Sequence, residues 1–451
     1  MPEFIKLKKG LNINLVGEAF KTIVALPLPE TFAIKPPDFI GVVPKLLVKE
    51  GDEVLAGTPL FYAKSNEAIK FSSPVSGEVA AIVRGEKRKI LEIKILVDKE
   101  TRYLTFNKSD PNDLDRERII ELLLNSGAWP LIRQRPFGII PQPEVKPKSI
   151  FISAFDTNPL APDINFIMKD ESINFQTGLN ALKKLTDGAI YLNINEGAET
   201  SPVFTNAKGV TINKFSGPHP AGNVGVQIHH IDPVNKGDVV WCIHPQDVLI
   251  IGRLFNTGKM DASRVIALTG SRVKNPKYYK TAIGAAVKNI ISDGEMQEGI
   301  NRIISGNVLT GKQISIDGHL NFYDTQVTII PEGNEPEFIG WLKPGFNKLS
   351  VSRSYFSWLM PRKKHDVDTN LHGEERPFVM SGQYEKVFPM DIYPVQLLKS
   401  ILVEDVELME NLGIYEVVEE DFALCEFICT SKIESQHIIR RGLDLIRKEF
   451  G

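Results

Sequence analysis

Two cysteines four positions apart, Cys425 and Cys429, four histidines between 219 and 244, and two glycine-rich turns have residue types and spacing suited to chemistry. Iron-sulfur clusters take four thiolates as a rule, and the chain holds only one further cysteine, Cys242. No cluster is expected; the apolar neighbours Leu424, Phe427 and Ile428 mark the pair as small core residues. His219, His229, His230 and His244 have no cysteine or carboxylate at a recognised ligand spacing, so no metal is assigned to them. Gly306 to Lys312 (GNVLTGK) has the glycine and lysine spacing of a phosphate-binding loop, but Gln313 stands where a Ser or Thr hydroxyl reaches magnesium. The following Ile314 to Phe322 (ISIDGHLNF) alternates like a strand, so the helix N-terminus that would hold phosphate is missing and nucleotide hydrolysis is not expected. Gly217 to Gly225 (GPHPAGNVG) departs from G-x-G-x-x-G and is stiffened by two prolines. It does follow a predicted strand, which is where open α/β sheets bind ligands. No nucleophile elbow singles out a catalytic triad.

Length and composition bound the elements that must position these residues. The 451 residues predict roughly three domains at about 150 residues each. Hydrophobic residues at 42% and charged residues at 24% are ordinary globular usage. With 53 Lys and Arg against 56 Asp and Glu, the net charge of -3 supplies no basic field across the whole chain, so nucleic acid is not expected as a partner. No run approaches the roughly 18 apolar residues of a membrane span; the most apolar one, Asp247 to Asn256, is strand-sized. Residues 1–20 lack the apolar core and cleavage site of a secretory leader, and three cysteines suit a reducing compartment.

Short β-type runs punctuated by Gly, Pro and Asp fill residues 1–100, with turns at Gly51-Asp52 and Ser76-Gly77. The period then changes: Asp113 to Gly127 begins acidic, carries apolar residues at 119, 120, 122, 123 and 124, and ends on Gly, which predicts a capped helix. A Pro-rich link covers 140–149. Strand candidates at 149–155, 189–194, 210–215 and 248–252, with a helix candidate at 175–188, predict an α/β layer with a mainly parallel sheet over 101–256. Residues 257–330 read as strand, turn, strand, short helix, strand and loop, and 331–451 as irregular and then helical. In the last segment Ile439, Leu443, Ile446 and Phe450 share one face of an amphipathic helix, with Arg440, Arg441, Arg447 and Lys448 mostly elsewhere on it.

Several of these stretches resemble known families. The KEGDEV turn followed by a hairpin and SSPVSGEV is similar to the biotinyl/lipoyl barrel-sandwich modules, in which the modified Lys lies eight residues before the Pro of the next SP pair; here that place, counted from Pro74, is Asn66. Covalent biotin or lipoate is therefore not expected. Leu268, Gly270, Val273 and Pro276 approximate the opening of β-grasp soluble-ligand-binding modules. The order of modules resembles the C component of the Rnf complex and the flavin-carrying subunit of respiratory complex I. The strings at Phe4 to Gly17, Phe215 to Gly225, Ser305 to Gly311 and Leu424 to Glu434 resemble more specifically the A-type subunits of the Na+-translocating NADH:quinone oxidoreductases. The resemblance covers essentially the whole chain.

It implies an α+β multidomain protein: a biotinyl/lipoyl-like module (1–100), a Rossmann-like α/β layer (101–256), a β-grasp module (257–330) and a largely helical C-terminal region (331–451). It implies a peripheral subunit on the cytoplasmic face of the bacterial inner membrane, docked on the membrane-embedded B component among the other subunits, contributing to quinone reduction coupled to Na+ transport. The alternatives are a non-catalytic docking module with a vestigial crevice, or a flavin-carrying electron-transfer subunit of the Rnf type. Flavin-binding relatives carry a G-x-G-G-A-G-F-P loop, whose place is taken here by Leu124 to Pro130 (LNSGAWP), with one Gly and bulky Trp129. Their next segment corresponds to Ser153 to Asp163, which keeps Asp156, Pro159 and Asp163 but lacks the basic residues. A tightly bound FMN is not expected. The crevice at the carboxyl ends of the strands is the expected site for quinone, the substrate: Phe155 and Phe215 as walls, Asn195 and His219 as hydrogen-bonding groups, Asp156 and Glu196 beside them.

Overall fold

The computed structural model describes residues 3–333 and 339–450. Its first module packs a four-stranded sheet, in the order Thr31–Ile34, Ile90–Val97, Gly77–Arg84 and Glu53–Val54, with a three-stranded one, Pro44–Leu46, Pro59–Ala63 and Asn66–Ser72. Alternating side chains give it a core of Phe32, Phe61, Phe71, Val79, Ile93 and Ile95, in which the Phe61 and Phe71 rings stack at 4.4 Å. Lys64 and Ser65 form the tip of the Pro59–Ser72 hairpin, and the adjacent Asn66 donates its amide to Gln142 Oε1 at 3.0 Å. The tip is therefore held against the Pro-rich link.

The helix Arg116–Ser126 begins where Asp115 accepts from Arg118 N and ends at Gly127, in the left-handed region at φ 75°. A β-carbon at Gly127 would lie 2.2 Å from Ser72 Oγ. Helix termination and close packing of the first module account for the one glycine of the LNSGAWP loop. Trp129 follows, fully buried, its indole N–H donating to the Pro141 carbonyl at 2.9 Å and its ring meeting Trp241 edge-on at 5.4 Å.

The α/β layer is a six-stranded sheet in the order Phe4–Lys6, Thr211–Ser216, Ala189–Asn195, Ser149–Ser153, Val240–Cys242 and Arg133–Arg135. All neighbours are parallel except the last pair. Along Ser149–Ser153 the side chains alternate between two cores: Ile150 and Ile152 join the one shared with the first module, and Phe151 joins a second, formed with the C-terminal helices. The sheet is thus buried on both faces, as parallel sheets are.

The run expected as a strand at 248–252 is a helix, Pro245–Thr257. Val248, Leu249, Ile250, Ile251, Leu254 and Phe255 are all buried, so the apolar run has no polar face to reveal a helical period. The deciding signals lie at its ends: His244 accepts from Gln246 N, Pro245 opens the first turn, Asp247 complements the dipole, and Gly258 closes it at φ 68°. The helix crosses Ser172–Lys183 in backbone contact, since a β-carbon at Gly252 would lie 1.8 Å from the Asn174 carbonyl oxygen. The place in the sheet is taken instead by Val240–Cys242.

A third, mixed sheet runs Lys312–Ile314, Asn301–Ser305, Gln326–Pro331, Ser263–Thr269, Lys277–Ala282 and Phe20–Ala25, with the helix Lys288–Gly294 beside it. Of the alternating 314–322 stretch only Ile314 lies in a strand, Lys312–Ile314, and His319 makes an isolated bridge to Ala286; the remainder is turn and irregular chain. The first hundred residues therefore supply strands to all four sheets: Phe4–Lys6 pairs with Thr211–Ser216, and Phe20–Ala25 with Lys277–Ala282. Helices Tyr384–Val387, Pro394–Leu402, Val406–Asn411, Ala423–Ile428 and Ser435–Phe450 build the second core. In the last of them Ile439, Leu443 and Ile446 are buried, while the Phe450 side chain lies outside the described residues.

His319 sits where the first module meets the third sheet, its ring Nε2 3.0 Å from Thr31 Oγ1 and its carbonyl accepting from Lys35 Nζ. Burial lowers its pKa to about 4, Glu92 pulling it back and Lys94 and Lys35 adding to the depression. The ring is neutral in the fold, so its contribution is fully present above the unfolded value of 6.5 and is lost as pH falls towards 4. We expect His319→Gln to remove about 3 kcal/mol of the stability change between pH 7 and pH 4. Urea unfolding at both pH values measures this, and parallel wild-type and variant curves would refute it.

Candidate functional site

Register places amide side chains side by side beneath the strand ends. Asn193 and Asn213 are paired across their strands; Asn213 Nδ2 donates to Asn193 Oδ1 at 3.0 Å, Asn193 Nδ2 to Gln227 Oε1 at 2.9 Å, and Gln227 Nε2 to Ser153 Oγ at 2.8 Å and the Ala221 carbonyl at 3.1 Å. Ser153 Oγ lies 2.9 Å from the Phe155 carbonyl and 3.0 Å from that of Gly222. All but Ser153 are buried, and a satisfied network of this kind fixes the layout of the carboxyl ends.

Above it sits the GPHPAG loop. Leu11 N donates to the His219 carbonyl at 2.8 Å and His219 N to Asn12 Oδ1 at 2.9 Å, so the N-terminal segment grips the loop. Two of the strings that carried the family resemblance are thereby packed on each other. The Thr157 hydroxyl accepts from Gly222 N at 2.9 Å and lies within hydrogen-bonding distance of His219 Nδ1, at 3.1 Å. His219 is buried, and its pKa falls to about 4 through desolvation, with Glu420 opposing. Asp156 accepts from Asn158 N and Nδ2, both at 2.8 Å. Burial raises its carboxyl above the usual range, the Asn158 bonds pull it back, and Glu420 adds to the rise.

Glu420 belongs to a run of three acids, Glu419 to Asp421, that the C-terminal region sets over the sheet. Arg135 Nη1 donates to Asp421 Oδ2 at 2.7 Å and Arg135 Nη2 to Glu420 Oε1 at 2.5 Å; Arg440 holds both Glu419 oxygens at 2.6 and 3.0 Å and reaches the Phe137 carbonyl at 2.8 Å. Arg135 and Asp421 are buried, and burial pushes the Asp421 carboxyl up while Arg135 pulls it down. A β-carbon at Gly225 would lie 2.5 Å from Asp421 Oδ1, so the Asp421 carboxylate faces the start of the helix Val224–Ile231, the favourable end of its dipole.

Arg133, paired in register with Cys242, stands at the same strand ends. Its guanidinium lies over the Tyr323 ring, 5.0 Å from the centroid, and is ion-paired to no carboxylate among the described residues. Tyr323 Oη donates to the Pro130 carbonyl at 2.8 Å. Deeper in, Arg264 binds Asp247 and the Phe322 carbonyl. Burial raises the Cys242 thiol and lowers His244 to about 3. What the arrangement offers is a neutral imidazole, a carboxyl shifted towards its protonated form and a guanidinium ion-paired to no carboxylate among the described residues. These groups can hydrogen-bond a carbonyl or an oxyanion.

The structure brings Asp156 and His219 together with Glu420, whose charge acts on both. Phe155 and Phe215 are 6% and 0% exposed and lie in the second core. Asn195 accepts from Gly197 N, and Glu196 ion-pairs with Lys214 at 2.9 Å; both contacts are local and at the rim. Arg133, Arg135, Glu420 and Asp421 were missed. Their signal was weak: an Arg-Gln-Arg run and an acidic triplet separated by almost three hundred residues, whose pairing only the fold reveals.

The Gly306 to Gly311 loop satisfies itself. Asn307 Oδ1 accepts from Leu309 N and Thr310 N, and Gly306 N donates to the Gln326 carbonyl, so these amides are not turned toward a phosphate. Cys425 and Cys429 are buried in the second core. Among the described residues, no group of three His, Cys, Asp or Glu is placed to hold a metal ion, and no helix is long and apolar enough to cross a membrane.

A barrel-sandwich module joined to an α/β layer, a third mixed sheet and a helical cover defines a modular, multidomain α+β protein. Residues 5–98 match the family model described as the NqrA N-terminal barrel-sandwich hybrid domain, 114–260 the NqrA second alpha/beta domain, and 265–315 the NQRA C-terminal domain. The chain is 42% identical to the A subunit of the Na(+)-translocating NADH-quinone reductase of Rhodopirellula baltica over 98% of both chains, and 39% identical to that of Alcanivorax borkumensis over 99% of this chain and all of the other. Among solved structures, a chain of an NAD+-reducing [NiFe]-hydrogenase in the H2-reduced state is a remote likeness, with a TM-score of 0.40 and 10% identity over 75% of this chain and 62% of the other. The chain belongs to the NqrA family, the A-type subunits of the Na+-translocating NADH-quinone reductases, and so is one subunit of an oxidoreductase complex.

Proposed function

We propose that this chain acts as a peripheral subunit on the cytoplasmic face of the membrane, docked on the membrane-embedded B component, and that it presents the carboxyl-end cluster to the quinone head group during its reduction. The observation that carries this reading is Arg133: a guanidinium over an aromatic ring, at the strand ends, with no carboxylate ion-paired to it among the described residues. A quinone carbonyl gaining electrons develops negative charge, and Arg133 supplies donors where that charge would form; His219 and Asp156 lie in the same cluster around Glu420.

A second reading, a docking module whose crevice is closed, is favoured by the burial of Phe155 and Phe215. A water-soluble short-chain quinone titrated into the purified chain separates the two. Saturable quenching of tryptophan fluorescence is expected, with the dissociation constant raised about tenfold by Arg133→Gln, the loss of one charge-assisted hydrogen bond. Quenching that is absent, or indifferent to this substitution, assigns the chain to docking alone.

A further inference from the structure

Residues 340–364 stand apart in composition. In a chain of net charge -3 they hold six Lys or Arg (Lys343, Lys348, Arg353, Arg362, Lys363, Lys364) and no Asp or Glu, interleaved with large apolar side chains. The segment is an ordered flap. Phe356 N donates to the Pro344 carbonyl at 2.9 Å, closing a loop in which the Phe346 and Phe356 rings meet at 5.9 Å. Lys363 Nζ donates to the Phe346 carbonyl at 3.1 Å, and His365 bridges to Leu15 at the base.

Its apolar side chains nevertheless face outward. Leu342 is 65% exposed, Leu359 57%, Phe356 51% and Trp358 45%, with Phe346 and Met360 also exposed. Arg353 lies over the Trp358 ring, 5.7 Å from its centroid. The C-terminal helices also leave single apolar side chains exposed, Leu402, Leu408 and Phe427 among them, but between residues 342 and 360 six large ones are exposed together with the basic residues, and this concentration asks for an occupant.

We propose that the 340–364 flap is a membrane-contacting surface that seats on anionic phospholipid, its aromatic and aliphatic side chains entering the headgroup boundary and its basic side chains, the exposed Arg353 and Arg362 foremost, meeting lipid phosphate. This deepens the proposed function and rests on its peripheral placement. Indole and phenyl rings ringed by cations are the side chains that favour the membrane interface. The absence of any acid from the flap matches the negative potential of an anionic leaflet. Leu342, Leu359 and Met360 argue against nucleic acid, which uses cations and flat rings but has little place for aliphatic chains.

The test is flotation of the full chain with vesicles of pure phosphatidylcholine and of phosphatidylcholine with about a third phosphatidylglycerol. Binding to the second only is expected, weakened about tenfold or more by high salt. Arg353→Gln, Arg362→Gln and Lys364→Gln together should weaken it to a similar degree, and so should Trp358→Ser with Leu359→Ser. The matching triple on the first module, Lys45→Gln, Lys64→Gln and Lys87→Gln, should leave it unchanged.

Equal binding to both vesicles, or binding that survives the flap variants, overturns the proposal. Loss of co-purification with the membrane subunits on the same substitutions, without vesicle binding by the wild type, also overturns it and gives the flap to a protein partner. Co-purification of the wild-type chain is scored separately, so the peripheral-subunit reading stands or falls on its own.

Discussion

Arg135→Ala is expected to lower the free energy of unfolding by about 3–5 kcal/mol, the usual loss when one member of a buried ion pair is removed. Arg135 neutralises two carboxylates at once, Asp421 at 2.7 Å and Glu420 at 2.5 Å, and Asp421 is already pushed towards its neutral form by burial. Without the guanidinium, Asp421 keeps only the Val418 N–H, which donates to its Oδ2 at 2.9 Å. The damage should concentrate where the C-terminal region meets the sheet, so limited proteolysis after residue 330 should accelerate along with the drop in urea midpoint. The double change Arg135→Met with Asp421→Leu should recover much of the loss, because an apolar pair carries no stranded charge. A single-variant cost under about 1 kcal/mol would show that the helical region is held by its apolar contacts alone.

Trp129→Ala should cost a comparable amount, about 3–5 kcal/mol, for a different reason. The indole is fully buried, leans edge-on against Trp241 and satisfies its N–H on the Pro141 carbonyl. Truncation removes the apolar contact, the aromatic pair and a hydrogen bond to the Pro-rich link, and opens a cavity between the first module and the α/β layer. Calorimetry of the full chain should show a lower, broader transition. A midpoint within a degree of the wild type would mean that the surrounding side chains collapse into the space. Trp129 lies in the loop that the sequence resemblance aligns with a glycine-rich one, and here that loop is filled by packing.

Much of the frame was legible in the sequence because its signals were local. The helix at 116–126 was announced by its acidic start and Gly127, and the strands at 149–153, 189–195 and 211–216 by β-branched runs between turn residues. The helix at 245–257 was misread because it is buried all round, so its period vanished and only its caps could have spoken. The site was legible at the level of place. His219 and Asp156 do lie at the strand ends, where burial chiefly shifts both, but the charge that acts on them, Glu420, and the Arg135 that holds it come from distant segments. Such pairings depend on which chain segments the fold brings together, and no residue spacing encodes them. The same holds for Asn193, Asn213 and Gln227, polar residues inside apolar runs that read as ordinary interruptions until register aligns them.

The pairing of Phe4–Lys6 with Thr211–Ser216, and of Phe20–Ala25 with Lys277–Ala282, has a consequence for biosynthesis. At about 5–20 residues per second, roughly ten seconds to a minute separate each early strand from the arrival of its neighbour at the ribosome exit. The module spanning 31–97 needs no such wait, since its strands find one another within that span. The nascent chain therefore carries a finished lobe beside a loose N-terminal segment, whose Leu7, Ile13 and Leu15, buried in the finished fold, stay uncovered until the later elements are made. Any holdase that assists this protein should engage that segment first.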